Sequence, residues 1–385
     1  MSRKRVGLLM LGVSSASCGG AERFFSQFFM EYSSRKDTSH DLYFLLDPGT
    51  FDVLSKLTGL KKGPNVIVLK NYSNRFKRVL ENINISRTLR KIQIDILHVT
   101  NYGAYYFNRL YHISKKDAHP AIVINIVDCE IPYALEDSRH PKHSSYKKRY
   151  MPLFNEIVPD AVFTWYELFL AFAAKNKLLK DSAICEAAQT RFADTKGFTP
   201  APVKKDVVVY AARLTDQKRP LMFAEAVRYL TSNFRDRIAG WKFAIYGSGP
   251  LENEVDAFIQ RNQLSEILHH YPAGDLRHVF AESTCFVSTQ DYENFPSLSM
   301  NEAMAAGNII VARNVGQTSR FLEENKNGFF ADTDDAVGIA GALLKMMGSR
   351  VQFAEMMKHS VYLANEVHTP SNFIRQIDTF WTRLK

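Results

Sequence analysis

Cysteine is scarce: the 385 residues hold four, Cys18, Cys129, Cys185 and Cys285, scattered without metal-ligand spacing. So few cysteines in so long a chain do not make a disulfide framework, and a reducing, cytoplasmic setting is the expectation. Long apolar runs are missing as well. None reaches the roughly 18 residues needed to cross a bilayer. The short apolar run at 6–12 follows a basic flank but passes at once into a Gly/Ser turn and a charged helix, so it reads as a buried first strand and not a signal peptide. There is no short-period repeat, no low-complexity tract, and no recognised nucleic-acid motif or basic–aromatic run.

What remains is an ordinary folded composition, 46% hydrophobic and 23% charged, with a net charge of +9. The charge favours an anionic partner, a nucleotide, a phosphorylated substrate, nucleic acid or an acidic membrane surface, without choosing among them. A single core rarely grows beyond about 250–300 residues, so two domains are expected.

Short β-rich runs alternate with amphipathic segments along the whole chain. Strands are predicted at 6–11, 42–46, 66–69, 94–99, 121–127 and 161–164, with helices such as 22–34 and 75–91 between them. This is the pattern of a parallel sheet with crossover helices. The pattern breaks at Thr199-Pro200-Ala201-Pro202-Val203-Lys204-Lys205, then restarts with strands at 207–211, 242–246, 285–288 and 309–312 and helices at 220–230 and 251–263. The expected domains are therefore 1–200 and 201–385. The end of the chain, 370–385, reads as an amphipathic helix with Phe373, Ile377, Phe380 and Trp381 on one side, a candidate to pack back on the first domain.

Four segments fall at the carboxyl ends of second-half strands, where such sheets bind ligands. Arg213 and Lys218, on the loop after 207–211, are spaced to reach one diphosphate. Gly247-Ser248-Gly249-Pro250 is a tight turn at which a backbone can approach a ligand, or simply a strand-to-helix turn. Glu293-Asn294-Phe295-Pro296-Ser297 leads into a helix that carries Glu302 and stops at Gly307. The helix start attracts phosphate, and the carboxylates can accept bonds from sugar or ribose hydroxyls. Asn314-Val315-Gly316-Gln317-Thr318 is a further glycine turn. Each alone is also what a solvated loop or a capped helix looks like; their order and spacing carry the reading.

In that order the segments resemble the retaining, nucleotide-sugar-dependent glycosyltransferases of family 4, also called glycosyl transferases group 1. The resemblance covers most of the chain and is best over 206–345. It rests on Ala212-Arg213-Leu214 with Lys218, the Gly-x-Gly-Pro turn at 247–250, the Glu…Glu-Ala-Met-Ala-x-Gly segment at 293–307, and Gly316 with Gly328. Gly19-Gly20-Ala21-Glu22-Arg23 is similar to the family's glycine-rich loop after strand one.

The resemblance implies an α/β chain of GT-B fold: two Rossmann-like doubly wound parallel-sheet domains with an interdomain cleft, the first for the acceptor and the second for the nucleotide sugar. It implies Arg213 and Lys218 on the diphosphate, Glu302 on the ribose, Glu293 on the transferred sugar, and Gly19 and Gly20 beside the reacting centre. Gly247, Gly249, Asn294, Phe295, Pro296 and Ser297 complete the implied donor site. Two departures stand out. Glu293 and Glu302 are separated by eight residues where the family has seven, which leaves Asn294 as an alternative first position. Where the family often has His-Asp after the fifth strand, the chain has Val127-Asp128, so Asp128 is the candidate for that role.

The implied reaction transfers a sugar from a nucleotide diphosphate to a glycan or lipid-linked acceptor with retention, in cell-surface polysaccharide or glycolipid synthesis. It needs no cofactor and no metal. The basic segment 75–83 and the cations of 138–150 offer an anionic membrane surface as a further partner, with a peripheral place on its cytoplasmic face. A nucleotide-sugar epimerase of the same fold and a non-catalytic nucleotide- or glycan-binding protein are the competing expectations.

Overall fold

The computed structural model describes residues 3–14, 20–70, 78–100, 113, 119–295 and 297–384. They form two compact units, Met1–Gln189 with Pro370–Lys385, and Thr190–Thr369. The division falls at 189/190, ahead of the Pro-rich stretch at 199–205. That stretch is held by the second unit: Lys204, far from being a solvated linker residue, donates to the carbonyls of Phe280 (3.0 Å), Ser283 (2.7 Å) and Ala306 (2.7 Å).

The first unit is built on a seven-stranded parallel sheet in the order β3-β2-β1-β4-β5-β6-β7. Its strands are β1 (Arg5–Met10), β2 (Asp41–Leu46), β3 (Val66–Val68), β4 (Ile96–Val99), β5 (Ala121–Ile126), β6 (Ala161–Thr164) and β7 (Ile184–Ala187). The central strands are apolar on both faces because crossover helices cover both, as parallel sheets require. One of those faces is an aromatic layer. Phe24 and Phe25 of the helix Gly20–Ser34 meet Trp165, and Phe373 and Trp381 of the helix Pro370–Thr382 pack against Phe24 and Phe28. Phe373, Ile377, Phe380 and Trp381 are all completely buried there. At roughly 1.5–3 kcal/mol for each large apolar side chain, they explain why the end of the chain belongs to this unit. Its polar side is fixed by Asp378, which accepts from the Tyr32 hydroxyl, from Ser39 N (2.8 Å) and from His40 Nδ1 (2.8 Å).

The second unit has a six-stranded parallel sheet in the order β10-β9-β8-β11-β12-β13. Its strands are β8 (Lys205–Ala211), β9 (Lys242–Tyr246), β10 (Leu268–Tyr271), β11 (Ser283–Ser288), β12 (Ile309–Ala312) and β13 (Gly328–Phe330). In chain order this is 3-2-1-4-5-6, the doubly wound dinucleotide-binding arrangement. After β10 the chain returns to the other side of β8, so β8 and β11 are neighbours whose following loops diverge. That is the topological switch point, where a crevice opens above the carboxyl ends of the strands.

Candidate functional site

Four loops leave the carboxyl edge of the second sheet, after β8, β9, β11 and β12. They are the four segments singled out in the sequence.

The loop after β8 carries the two cations. Arg213 is exposed, and its guanidinium has no hydrogen-bond or ion-pair partner among the described residues. Lys218 closes a short 3-10 turn, Asp216–Lys218, and is half-buried, with its amine donating to Gln290 Oε1. The loop is held from below. The Thr289 hydroxyl lies 2.9 Å from the carbonyls of both Lys218 and Arg219, and the Tyr210 hydroxyl donates to Lys218 O at 2.9 Å. Arg219 then enters the left-handed region (φ 48°) and begins the helix Pro220–Asn233.

The turn after β9 is packed on that loop, backbone against backbone. Leu214 N donates to Ser248 O (3.1 Å) and Leu251 N to Leu214 O (3.2 Å). A Cβ at Gly247 would overlap the Ala212 carbonyl, and one at Gly249 would overlap that of Leu214. These glycines are required by a neighbouring loop of the protein itself, which places Arg213 next to them. His270 pins the Gly247 carbonyl with Nε2 at 3.0 Å, while its Nδ1 lies 2.8 Å from Asp256. Burial works against its charge, but these two acceptors outweigh it and raise its pKa.

The segment after β11 divides sharply by role. Glu293 is buried, and its Oε1 accepts from Phe295 N (2.9 Å) and Gln317 N (2.7 Å). Burial pushes its pKa up to about 7, against the pull of those backbone groups and of the Arg320 charge. The Asn294 amide is tied inside the unit, accepting from the Ser288 hydroxyl and donating to Thr318 Oγ1 (2.8 Å). Phe295 is buried against Phe321, with the Arg320 guanidinium over its ring at 5.5 Å. Asn294 and Phe295 are thus part of the wall that holds the segment. Ser297 caps the helix Leu298–Ala305 by accepting from Met300 N, and Glu302 sits half-buried on that helix. Pro296 lies outside the described residues.

Asp128 belongs to the first unit, just past β5. Its Oδ1 accepts from Glu130 N (3.0 Å), and its Oδ2 accepts from the Tyr146 hydroxyl at 2.6 Å. Tyr146 comes from the helix His143–Pro152, and burial together with Asp128 drives its own pKa up. Glu130 beside it pairs with Lys142 (2.5 Å) and lies 3.4 Å from His140. Gly20 opens the helix Gly20–Ser34, whereas Gly19 and the rest of 15–19 lie outside the described residues. So do residues 71–77 of the basic segment. Among the described residues no group of three His, Cys, Asp or Glu is placed to hold a metal ion.

Sequence reasoning missed Arg313, Asp291, Gln290 and Thr289, the residues under the cationic loop, and Tyr146 beside Asp128. An arginine after a strand and a tyrosine in a basic segment carry no signal of their own.

Residues 192–362 match the family model described as glycosyl transferases group 1, so the match falls wholly within the second unit. Among curated proteins, an Escherichia coli UDP-Gal:alpha-D-GlcNAc-diphosphoundecaprenol alpha-1,3-galactosyltransferase is 24% identical over 245 residues, 56% of this chain and 62% of that protein. A Staphylococcus aureus poly(ribitol-phosphate) alpha-N-acetylglucosaminyltransferase is 27% identical over 152 residues, 39% of this chain and 30% of that protein. The chain's matches therefore span less than two thirds of the length of either relative. Among solved structures, Anabaena HepE in complex with UDP and glucose aligns over 100% of both chains with a TM-score of 0.71 at 14% identity. A TarM variant of S. aureus, in complex with fondaparinux, alpha-GlcNAc-glycerol and UDP, aligns over 98% of this chain and 99% of its own at 0.71 and 12% identity. The fold is GT-B, with a parallel-sheet α/β architecture in each unit.

Proposed function

We propose that this chain is a glycosyltransferase that takes a sugar from a nucleoside-diphosphate donor and passes it, with retention of configuration, to a glycan or lipid-linked acceptor. The observation that carries this reading is the exposed Arg213 guanidinium, unpartnered among the described residues, on the same loop as Lys218, at the switch point of a 3-2-1-4-5-6 sheet. Cations fixed there meet the charge that develops on a leaving diphosphate, and they do so without reorganising. The group 1 match over the same residues supports it.

In the proposed reaction the acceptor oxygen attacks the anomeric carbon on the face the diphosphate leaves. The carbon–diphosphate bond breaks as the new glycosidic bond forms, and a diphosphate oxygen takes the acceptor proton. Arg213 and Lys218 stabilise the leaving group. Glu302 on its helix is assigned to the ribose, and the buried Glu293 to the edge of the sugar site. The reaction needs no metal; full activity in excess chelator is the expected result, and loss of activity restored by a divalent ion would overturn it.

UDP is the favoured carrier, since the E. coli relative is named for UDP-Gal and the Anabaena and TarM structures hold UDP. Both relatives are named for acceptors that carry phosphate. A phosphate-bearing acceptor also suits a chain of net charge +9, and a peripheral position at the cytoplasmic face of a membrane is part of the same proposal. No helix among the described residues is long and apolar enough to cross one.

A thermal-shift panel of UDP-, GDP-, ADP- and CMP-sugars with their free nucleotides tests the donor site. A ligand at 100 times its Kd that binds only the folded protein adds about 2.7 kcal/mol of stability. One nucleotide is expected to raise Tm, with Arg213→Ala abolishing the rise and Lys218→Ala reducing it. A flat panel would overturn the reading. With the donor known, release of free nucleoside diphosphate only in the presence of acceptor separates transfer from epimerisation, and binding without turnover marks a non-catalytic protein.

A further inference from the structure

Beneath the cationic loop lies a charged side chain that the donor site does not itself use. Arg313, the first residue after β12, is 3% exposed. Its guanidinium reaches in two directions. On one side Nη1 donates to Gln290 O at 2.6 Å and lies 3.3 Å from Asp291 Oδ1. On the other, Nε and Nη2 engage the carboxylate of Asp334. Asp291 is shared, since Arg219 Nη1 reaches the same oxygen at 3.0 Å.

The residues that Arg313 grips are the ones that hold the loop after β8. Gln290 takes the Lys218 amine, Asp291 N donates to Gln217 O at 3.0 Å, and Thr289 bonds the Lys218 and Arg219 carbonyls. Three consecutive residues, 289–291, therefore connect one buried arginine to three consecutive residues of the cationic loop, 217–219. A guanidinium suits this task because its planar fork donates along several directions at once and stays charged when buried; a lysine ammonium is a point charge and cannot span both sides.

We infer that Arg313 is a positioning residue for the donor diphosphate: acting through 289–291, it holds Lys218 and its loop at the switch point. This rests on the donor reading above. It also makes a claim about the ligand-free protein, that order in 213–219 depends on Arg313. A displacement of about 1 Å in a group that meets charge in the transition state can cost on the order of a hundredfold.

The test uses wild type, Arg313→Met, Lys218→Ala and the double variant. Amide hydrogen exchange over 213–219 is followed without ligand, and UDP affinity by calorimetry. Arg313→Met is expected to speed exchange over 213–219 and to weaken UDP on the order of tenfold. The double variant is expected to bind no more weakly than Lys218→Ala alone, because the arginine acts through the lysine's loop. Unchanged exchange over 213–219 in Arg313→Met would overturn the inference, as would an equal fold-loss of affinity in the wild-type and Lys218→Ala backgrounds. If wild type binds no nucleoside diphosphate, the donor reading fails, and the exchange result still decides whether Arg313 orders the loop. Should Arg313→Met fail to fold, Asp291→Asn weakens the same link without removing the buried charge, and the same exchange comparison applies.

Discussion

The Glu293 carboxylate rests directly on the Cα of Gly316. A Cβ at position 316 would lie 2.6 Å from Glu293 Oε1 and closer still to Oε2. The turn after β12 is shaped around the carboxylate that follows β11, and Gln317 N, one residue on, donates to it. The two segments form a single piece of structure.

Gly316→Ala is therefore expected to be strongly destabilising. Its φ of +53° costs an alanine about 1 kcal/mol, and the overlap with Glu293 adds roughly 1–3 kcal/mol. In a Glu293→Ala background the overlap is gone and only the backbone cost remains, so the two substitutions should be far from additive. Urea unfolding of the four proteins measures this; additive losses would disprove the contact.

The same carboxylate makes a prediction about pH. Its folded pKa of about 7 is raised above the ordinary glutamate value, chiefly by burial. Its contribution is then full below about pH 4.3 and is lost as pH rises through 7. Glu293→Gln should remove a fall in stability of about 4 kcal/mol between these limits, at about 1.36 kcal/mol per unit. Equal pH dependence in wild type and variant from pH 5 to 8 would contradict it.

Asp378 works with the opposite sign. Burial disfavours its charge, but bonds from His40, Tyr32 and Ser39 outweigh this and hold its pKa down to about 2. The stability it supplies is present above about pH 4 and is lost as pH falls through 2. Asp378→Asn should cost about 2 kcal/mol at pH 7 and almost nothing near pH 2. It should also speed hydrogen exchange in the helix Pro370–Thr382. A variant as stable as wild type at pH 7 would show that the helix is held by its aromatic face alone.

Tyr146→Phe tests Asp128. The phenol is the side-chain donor to Asp128 Oδ2, at 2.6 Å. If Asp128 acts in transfer, Asp128→Ala should lower kcat on the order of a hundredfold and Tyr146→Phe about tenfold, with KM for the donor little changed. Full activity of Asp128→Ala would remove it from the site.

The parts of this protein that could be read along the chain are those whose cause lies in the chain. Among the described residues ten strands were legible, and the three that were not, β7, β10 and β13, are all edge strands. A central parallel strand is covered on both faces and must be an apolar run. Ile184-Cys185-Glu186-Ala187 and Leu268-His269-His270-Tyr271 are half-solvated and carry no such run, and Gly328-Phe329-Phe330 is only three residues long. Arg213, Lys218, the glycine turns and the helix with Glu302 were legible because each follows a strand in a fixed order. Burial of Asn294 and Phe295 in the wall, the grip of Arg313 on Asp291 and Asp334, and the reach of Tyr146 to Asp128 were settled only by folding. Arg313 lies 22 residues from Asp291 and 21 from Asp334, and no local pattern relates them. They meet because the register of β11 against β12 brings Ser288 opposite Ala312 and that of β12 against β13 brings Ala312 opposite Phe330, so the loops after these strands emerge side by side. A side chain that bridges them is buried by neighbours that the local sequence does not name.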